Sequence, residues 1–333
     1  MLTDLPLDQL RDYRPEIGEP QDFDDFWATT LAEARHASRE ATSTPARTPV
    51  TAVRVQDLSF PGFAGDPVKA WFLAPQGEGP FPCVVEFLGY GGGRGLPHER
   101  LAWAAAGYAH LVMDTRGQGS AWGSGGGTPD PHGSGPSYPG VLTRGIDAPH
   151  TYYYRRLITD AVRAVDHVLT RPEVDPDRVA VVGTSQGGGL ALAAGALHPG
   201  VGAVVADVPF LCHFRRAVEV TDASPYSEIT AYLAVHRGAE EQVFRTLSYV
   251  DGVLMARRVT APTMISVALM DVTCPPSTIF AAANALRRPP QLEVYPFNDH
   301  EGGAQEQWVR AVRWLGNVLG DTGRAQGPGH EWA

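Results

Sequence analysis

Cysteine is scarce in this 333-residue chain: Cys83, Cys212 and Cys274 are odd in number, far apart and without a C-x-x-C spacing. That excludes a disulfide framework and predicts reduced, mostly buried thiols in a cytoplasmic protein. Basic residues are outnumbered, 27 Lys and Arg against 37 Asp and Glu, for a net charge of −10. Nucleic acid and anionic membranes require basic surface, so neither is an expected partner. No apolar run approaches the ~18 residues of a membrane helix, and the opening Met-Leu-Thr-Asp-Leu-Pro has neither a basic stretch nor an apolar one; neither secretion nor membrane insertion is indicated. No fixed-period repeat occurs, which argues against a propeller. H-E-x-x-H is absent, and Gly91 to Gly95 lacks the Lys-Ser/Thr ending of a phosphate-binding loop, so no metal and no cofactor is expected.

What is present is an ordinary apolar content of 43% and 37 glycines. The length suits one large domain over residues 1–320 with a sizeable core. Residues 1–45 read as an N-terminal extension, in which Asp22 caps a helix carrying Phe23, Phe26, Trp27, Thr30, Leu31 and Ala34 on one stripe. Glu40 to Pro49 reads as a linker. From Thr51 the pattern alternates: Val53, Val55, Leu58 and Phe60, a Pro61-Gly62 turn, then Val68 to Leu73 returning antiparallel.

Beyond residue 81, strands alternate with helices. Strands are predicted over Phe81 to Leu88, Tyr108 to Met113, the run before Gly183, Val201 to Ala206, Pro262 to Met270 and Gln291 to Tyr295. Helices are predicted over Glu99 to Ala106, Tyr152 to Leu169, Gln186 to Leu197 and a last one aligning Trp308, Val309, Val312, Leu315 and Leu319. That order means an α/β fold, a mostly parallel central sheet with helices on both faces. Residues 209–256 break the rhythm and read as a helical insertion roofing the site. Ser120 to Gly140, crowded with Gly, Ser and Pro, is a long loop. Asp114 and Arg116, after a strand, read as a buried ion pair bracing the loops. Residues 321–333 are expected to be disordered.

The chemistry centres on Gly183-Thr184-Ser185-Gln186-Gly187, a G-x-S-x-G between a β-branched strand and an Ala/Leu-rich helix. Chance produces this motif often in a glycine-rich chain; the strand before and helix after distinguish a nucleophile elbow. A neutral serine is a poor nucleophile, so Ser185 needs a histidine base and a carboxylate to orient it. Of eleven histidines, His300 follows the last strand in a Gly-flanked loop and can reach back. Asp271, after the penultimate strand, is the favoured acid and Asp207 the fallback. The oxyanion donors are assigned to the backbone N–H groups of Tyr90, in the glycine-rich bend after an early strand, and Gln186. Ester hydrolysis through an acyl-enzyme follows. A serine peptidase, a general short-chain carboxylesterase and an inactive ligand-binding scaffold are the alternatives.

The chain resembles the cephalosporin C deacetylase and acetyl xylan esterase group, carbohydrate esterase family seven of the α/β-hydrolases. The likeness rests on Arg116-Gly117-Gln118, Gly183-Thr184-Ser185-Gln186-Gly187 and His300-Glu301. It extends through Asp22-Phe23-Asp24 before Trp27, Tyr152-Tyr153-Tyr154-Arg155-Arg156, Asp207-Val208-Pro209-Phe210-Leu211 and Cys274-Pro275-Pro276-Ser277-Thr278. The resemblance places the acid at Asp271 and agrees with Tyr90 and Gln186. It implies removal of acetyl groups from xylo-oligosaccharides and cephalosporin compounds in the cytoplasm, without a cofactor, by a homo-hexamer whose interior residues 209–256 help build. Thr184 stands where the family often has Gly, and Asp299 puts a second carboxylate beside His300.

Overall fold

Among the described residues, nine strands follow in chain order: β1 (Thr42–Pro45), β2 (Val53–Pro61), β3 (Pro67–Pro75), β4 (Phe81–Phe87), β5 (Ala109–Met113), β6 (Val174–Thr184), β7 (Ala203–Asp207), β8 (Thr263–Ala268) and β9 (Gln291–Tyr295). The computed structural model describes residues 4–133 and 135–320, so the predicted tail over 321–333 lies outside the described residues. The strands form one sheet in the order β1-β2-β3-β5-β4-β6-β7-β8-β9. The first three pairings, through β3 with β5, are antiparallel, and the remaining five are parallel.

Successive strand residues point to opposite faces, and the side chains show what covers each. Val85, Val181 and Val204 join the larger core with α4 (Tyr153–Val168) and α5 (Gln186–Leu197). Their neighbours Val84, Val182 and Val205 pack instead with Trp103 of α3 (Ala102–Ala105) and with Ala311 and Leu315 of α11 (Ala304–Leu319). Both faces are thus dry, which is why β4 and β6 to β8 read as near-continuous apolar runs, whereas β2 alternates.

The N-terminal segment carries α1 (Leu7–Arg11) and α2 (Phe23–His36), and the six residues predicted to form the α2 stripe are the ones buried. The Trp27 indole N–H donates to the Tyr249 carbonyl at 2.8 Å, anchoring α2. Asp22 stands at the N-cap of this helix, but its side chain makes no cap bond: its carboxylate accepts from the Tyr249 hydroxyl at 2.6 Å, a tertiary bond in place of the local one. Between β7 and β8 run four helices, α6 (Phe214–Val220), α7 (Ser227–Val235), α8 (Glu240–Ser248) and α9 (Gly252–Ala256), and α10 (Pro276–Ala285) follows β8.

Two further sequence readings are corrected. Thr42–Pro45, inside the expected linker, pairs with Pro45↔Gln56 to Thr42↔Ser59 as the edge strand β1, and all four residues are exposed. An exposed edge has no burial pattern to announce it. The helix expected over Glu99 to Ala106 is a 3₁₀ turn at Pro97–Arg100 followed by the one-turn α3. Among the described residues, no helix is long and apolar enough to cross a membrane.

Candidate active site

The end of β6 delivers Ser185 on a turn that few residues tolerate, with φ 60° and ψ −120°. The chain reaches that conformation because strand and helix nearly touch. A Cβ on Gly183 would lie 2.3 Å from the Gly187 backbone, and one on Gly187 would lie 2.1 Å from the Phe87 carbonyl oxygen. Three backbone bonds hold the turn: the Ser185 N–H donates to Asp207 O at 2.8 Å, and the Ser185 carbonyl accepts from Phe210 N at 2.9 Å and Gly189 N at 3.1 Å. The Gln186 N–H opens α5, where a helix has no acceptor of its own to offer.

His300, in the loop between β9 and α11, brings Nε2 to 2.9 Å from the Ser185 hydroxyl and Nδ1 to 2.8 Å from Asp271 Oδ2. With the ring proton on Nδ1, the hydroxyl donates to Nε2 and Nδ1–H donates to the carboxylate. Asp271 is fully buried after β8, and its other oxygen accepts the Thr273 and Cys274 N–H groups, each at 2.8 Å. The structure therefore brings Ser185, His300 and Asp271 together. Asp207 is not in this chain, nor does its side chain bond loop backbone. It accepts from the Gln307 amide at 2.8 Å, and burial pushes its carboxyl up to about 6.

Asp299 uses its carboxylate on backbone, accepting His300 N at 2.8 Å and Val272 N at 3.3 Å, which ties the histidine loop to the residue after Asp271. Among the described residues, Asp271, Cys274 and His300 also offer ligand atoms within 4.8 Å of one another. Both imidazole nitrogens and both carboxylate oxygens already hold hydrogen bonds, so an ion there would compete with the serine.

Tyr90 stands across from Ser185 in the bend after β4, and the loop is pinned on several sides. Its carbonyl accepts the Trp122 indole N–H at 2.7 Å, and the Gly91 N–H donates to Gln118 Oε1 at 2.6 Å. The Gln118 amide donates to Gln186 Oε1 and to the Tyr153 hydroxyl, both at 2.9 Å, and Tyr154 donates to the same Gln186 oxygen. Gln118 thus ties the Tyr90 bend to the start of α5, and Tyr153 and Tyr154 of α4 support that tie.

Asp114 and Arg116 brace the loops, but not as a pair. Asp114 accepts the N–H groups of Arg94, Gly127 and Thr128, whereas fully buried Arg116 pairs with Asp160 at 2.5 and 2.8 Å and with Asp66 and Asp130. A cavity of about 360 Å³ opens over Ser185, lined by Gly89, Tyr90, Trp122, Pro225, Thr273 and His300. Trp122 comes from the 120–140 loop and Pro225 from the helical segment. Neither showed a signal in the sequence, because no periodicity marks a residue whose role is set by a loop folding over.

A serine held in a strained strand-to-helix turn, on a mostly parallel sheet covered on both faces, defines the α/β-hydrolase class. Within that class the chain belongs to the acetyl xylan esterase family, a family of carboxylic ester hydrolases: the family model "Acetyl xylan esterase (AXE1)" matches residues 1–318. Among solved structures, it is similar to the acetyl xylan esterase from Paenibacillus sp. R4, at 41% identity and a TM-score of 0.89 over 94% of this chain and 100% of that one. The acetyl xylan esterase 1 from Thermoanaerobacterium sp. JW/SL YS485 is 35% identical, with a TM-score of 0.86 over 94% of this chain and 99% of that one. Acetyl esterase Axe7A from Xylanibacter ruminicola is 27% identical over 323 residues, 91% of this chain and 68% of that protein.

Proposed function

We propose that the protein removes acetyl groups from acetylated xylo-oligosaccharides and cephalosporin C by a Ser-His-Asp acyl-enzyme mechanism. One observation carries the reading: the hydrogen-bonded chain from Ser185 through His300 to Asp271, with the serine hydroxyl facing a small cavity. His300 takes the Ser185 proton as the hydroxyl attacks the acetyl carbonyl, and Asp271 stabilises the imidazolium. The Tyr90 and Gln186 N–H groups hold the oxyanion. His300 then protonates the departing sugar or cephem alcohol, and afterwards draws a proton from the water that releases acetate.

The substrate class is supported by family membership and by the cavity. Its volume is at the lower end for small-molecule sites, and Trp122 and Pro225 are among its walls. Three free, buried thiols fit the reducing cytoplasm. We read residues 1–320 as one domain and assign it a homo-hexamer; exposed Val235 on α7 and Phe297 before His300 offer apolar surface for such contacts.

The test is acetate release from acetylated xylo-oligosaccharide and cephalosporin C, against hexanoyl and peptide substrates, with Ser185→Ala as the comparison. Release that disappears in the variant, with little activity on the longer and peptide substrates, is expected. Release that survives Ser185→Ala would overturn the mechanism.

A further inference from the structure

Glu228 is buried, at 4% exposure, in the first turn of α7, yet the nearest chemistry it touches is the loop facing Ser185. Its Oε1 accepts the Tyr90 hydroxyl at 2.5 Å, and its Oε2 accepts the Leu142 N–H at 3.0 Å. The same Tyr90 oxygen accepts the Val141 N–H at 2.7 Å. The Gly140 backbone lies so close that a Cβ there would come within 2.3 Å of the carboxylate. Among the described residues no salt bridge involves Glu228, and Arg144 acts on it only at longer range. A buried carboxylate without a paired cation is costly, and replacing it by an apolar side chain of the same size would ordinarily stabilise a fold. Its neighbourhood gives a reason for it.

We infer that Glu228 is a positioning residue for ester hydrolysis: by gripping the Tyr90 hydroxyl, it fixes the Tyr90 peptide whose N–H faces the oxyanion, and ties that peptide to the helical segment carrying Pro225. This rests on the proposed acyl-enzyme reading. The geometry explains the division of labour. The Gly92 N–H holds the Gly89 carbonyl of the peptide that carries the Tyr90 N–H, at 3.1 Å; Trp122 and Gln118 hold the following peptide at the Tyr90 carbonyl and the Gly91 N–H, and Glu228 holds the side chain between the two, which restrains rotation on both sides of Tyr90. Donors fixed in advance are what makes an oxyanion site effective, and removal of one such donor costs about 10²–10³ in turnover. Misplacing one costs less.

The experiment compares wild type, Glu228→Gln, Tyr90→Phe and the double variant on 4-nitrophenyl acetate. It reads kcat and KM separately, together with the affinity for methylboronic acid, which forms a tetrahedral adduct on the serine. We expect each single variant to lower kcat roughly 10- to 100-fold, with KM changed less than about threefold and boronate affinity falling in step with kcat. The double variant should be no worse than the poorer single one, because both act on the same link: Tyr90→Phe removes it, and Glu228→Gln weakens it by leaving one acceptor oxygen for two donors. A Glu228→Gln enzyme with wild-type kcat, or losses that multiply in the double variant, would overturn the inference. So would a loss of activity in step with thermal stability while boronate affinity is retained, which marks a merely structural role. Glu228→Ala provides a second variant should the Gln form fail to fold. A covalent fluorophosphonate separates this from failure of the underlying reading: if wild-type Ser185 is not labelled, the nucleophile assignment fails; if it is labelled and Glu228→Gln is silent, only the role of Glu228 does.

Discussion

Ser185 occupies a backbone region that costs about 1–3 kcal/mol, offset by the three hydrogen bonds that over-determine its turn. Replacement by Ala leaves the turn but removes the hydroxyl, so kcat on acetylated substrate should fall by about 10⁴-fold or more, with the melting temperature kept within a few degrees. Asp271→Asn should lower kcat by about 10⁴-fold, since the amide no longer selects the imidazole tautomer that accepts from serine. Asp207 gives a prediction about pH. Burial pushes its carboxyl up from an ordinary 3.8 to about 6, with Gln307 and Ser266 pulling it back. A folded state that prefers the protonated acid is most favoured below about pH 3.8 and loses that contribution as the pH rises through about 6. Asp207→Asn should therefore raise the melting temperature at pH 8, by roughly 1–2 °C for about 1 kcal/mol in a chain of this size. At pH 4 calorimetry should find the two proteins nearly equal; an equal gain at both pH values would show that the carboxyl is not the cause.

Elements meet at this site under tight tolerances, and two of the joints can be broken singly. Gly187→Ala would drive a methyl into the Phe87 backbone carbonyl, at the crossing of β4 and α5. Activity should be lost together with several kcal/mol of stability, measurable by urea unfolding. Arg116 joins β5 to α4 and to the loops at Asp66 and Asp130, with its guanidinium wholly inside. Arg116→Met leaves the buried Asp160 carboxylate with little but the Phe63 N–H, and should cost about 3–5 kcal/mol. Trp122, by contrast, is a wall held at one end by its bond to the Tyr90 carbonyl. Trp122→Ala should shift the ratio of hexanoyl to acetyl turnover roughly tenfold toward the longer chain; an unchanged ratio would mean that the acyl group sits elsewhere.

Across the whole molecule, the sheet order places β6 near the middle, flanked by β4 and β7, so the loops that leave these three strands converge over one edge. Tyr90 follows β4, Ser185 follows β6, and Asp271 and His300 follow β8 and β9 in parallel register on the same side. That is the crevice at the strands' carboxyl ends where open α/β sheets bind ligands. Ser224 and Pro225, in the turn between α6 and α7, and Trp122 add walls to it. Light scattering on the purified protein should return six times the 35.7 kDa chain mass; a clean monomer would refute the hexamer.

The sequence by itself determined the parts that local physics dictates. Glycines at the minus-two and plus-two positions, a β-branched strand before and an Ala/Leu helix after single out Ser185. A 3.6-residue stripe predicts α2, and alternating strands and helices predict the sheet. Position after the last strand distinguishes His300 among eleven histidines. Tertiary structure decided the partners. Arg116 with Asp160 instead of Asp114, Tyr249 on Asp22, Glu228 on Tyr90 and the edge strand β1 all join residues separated by many positions, or lie on exposed backbone. Periodicity reports which face of an element is buried, and carries no record of which side chain waits on the other side.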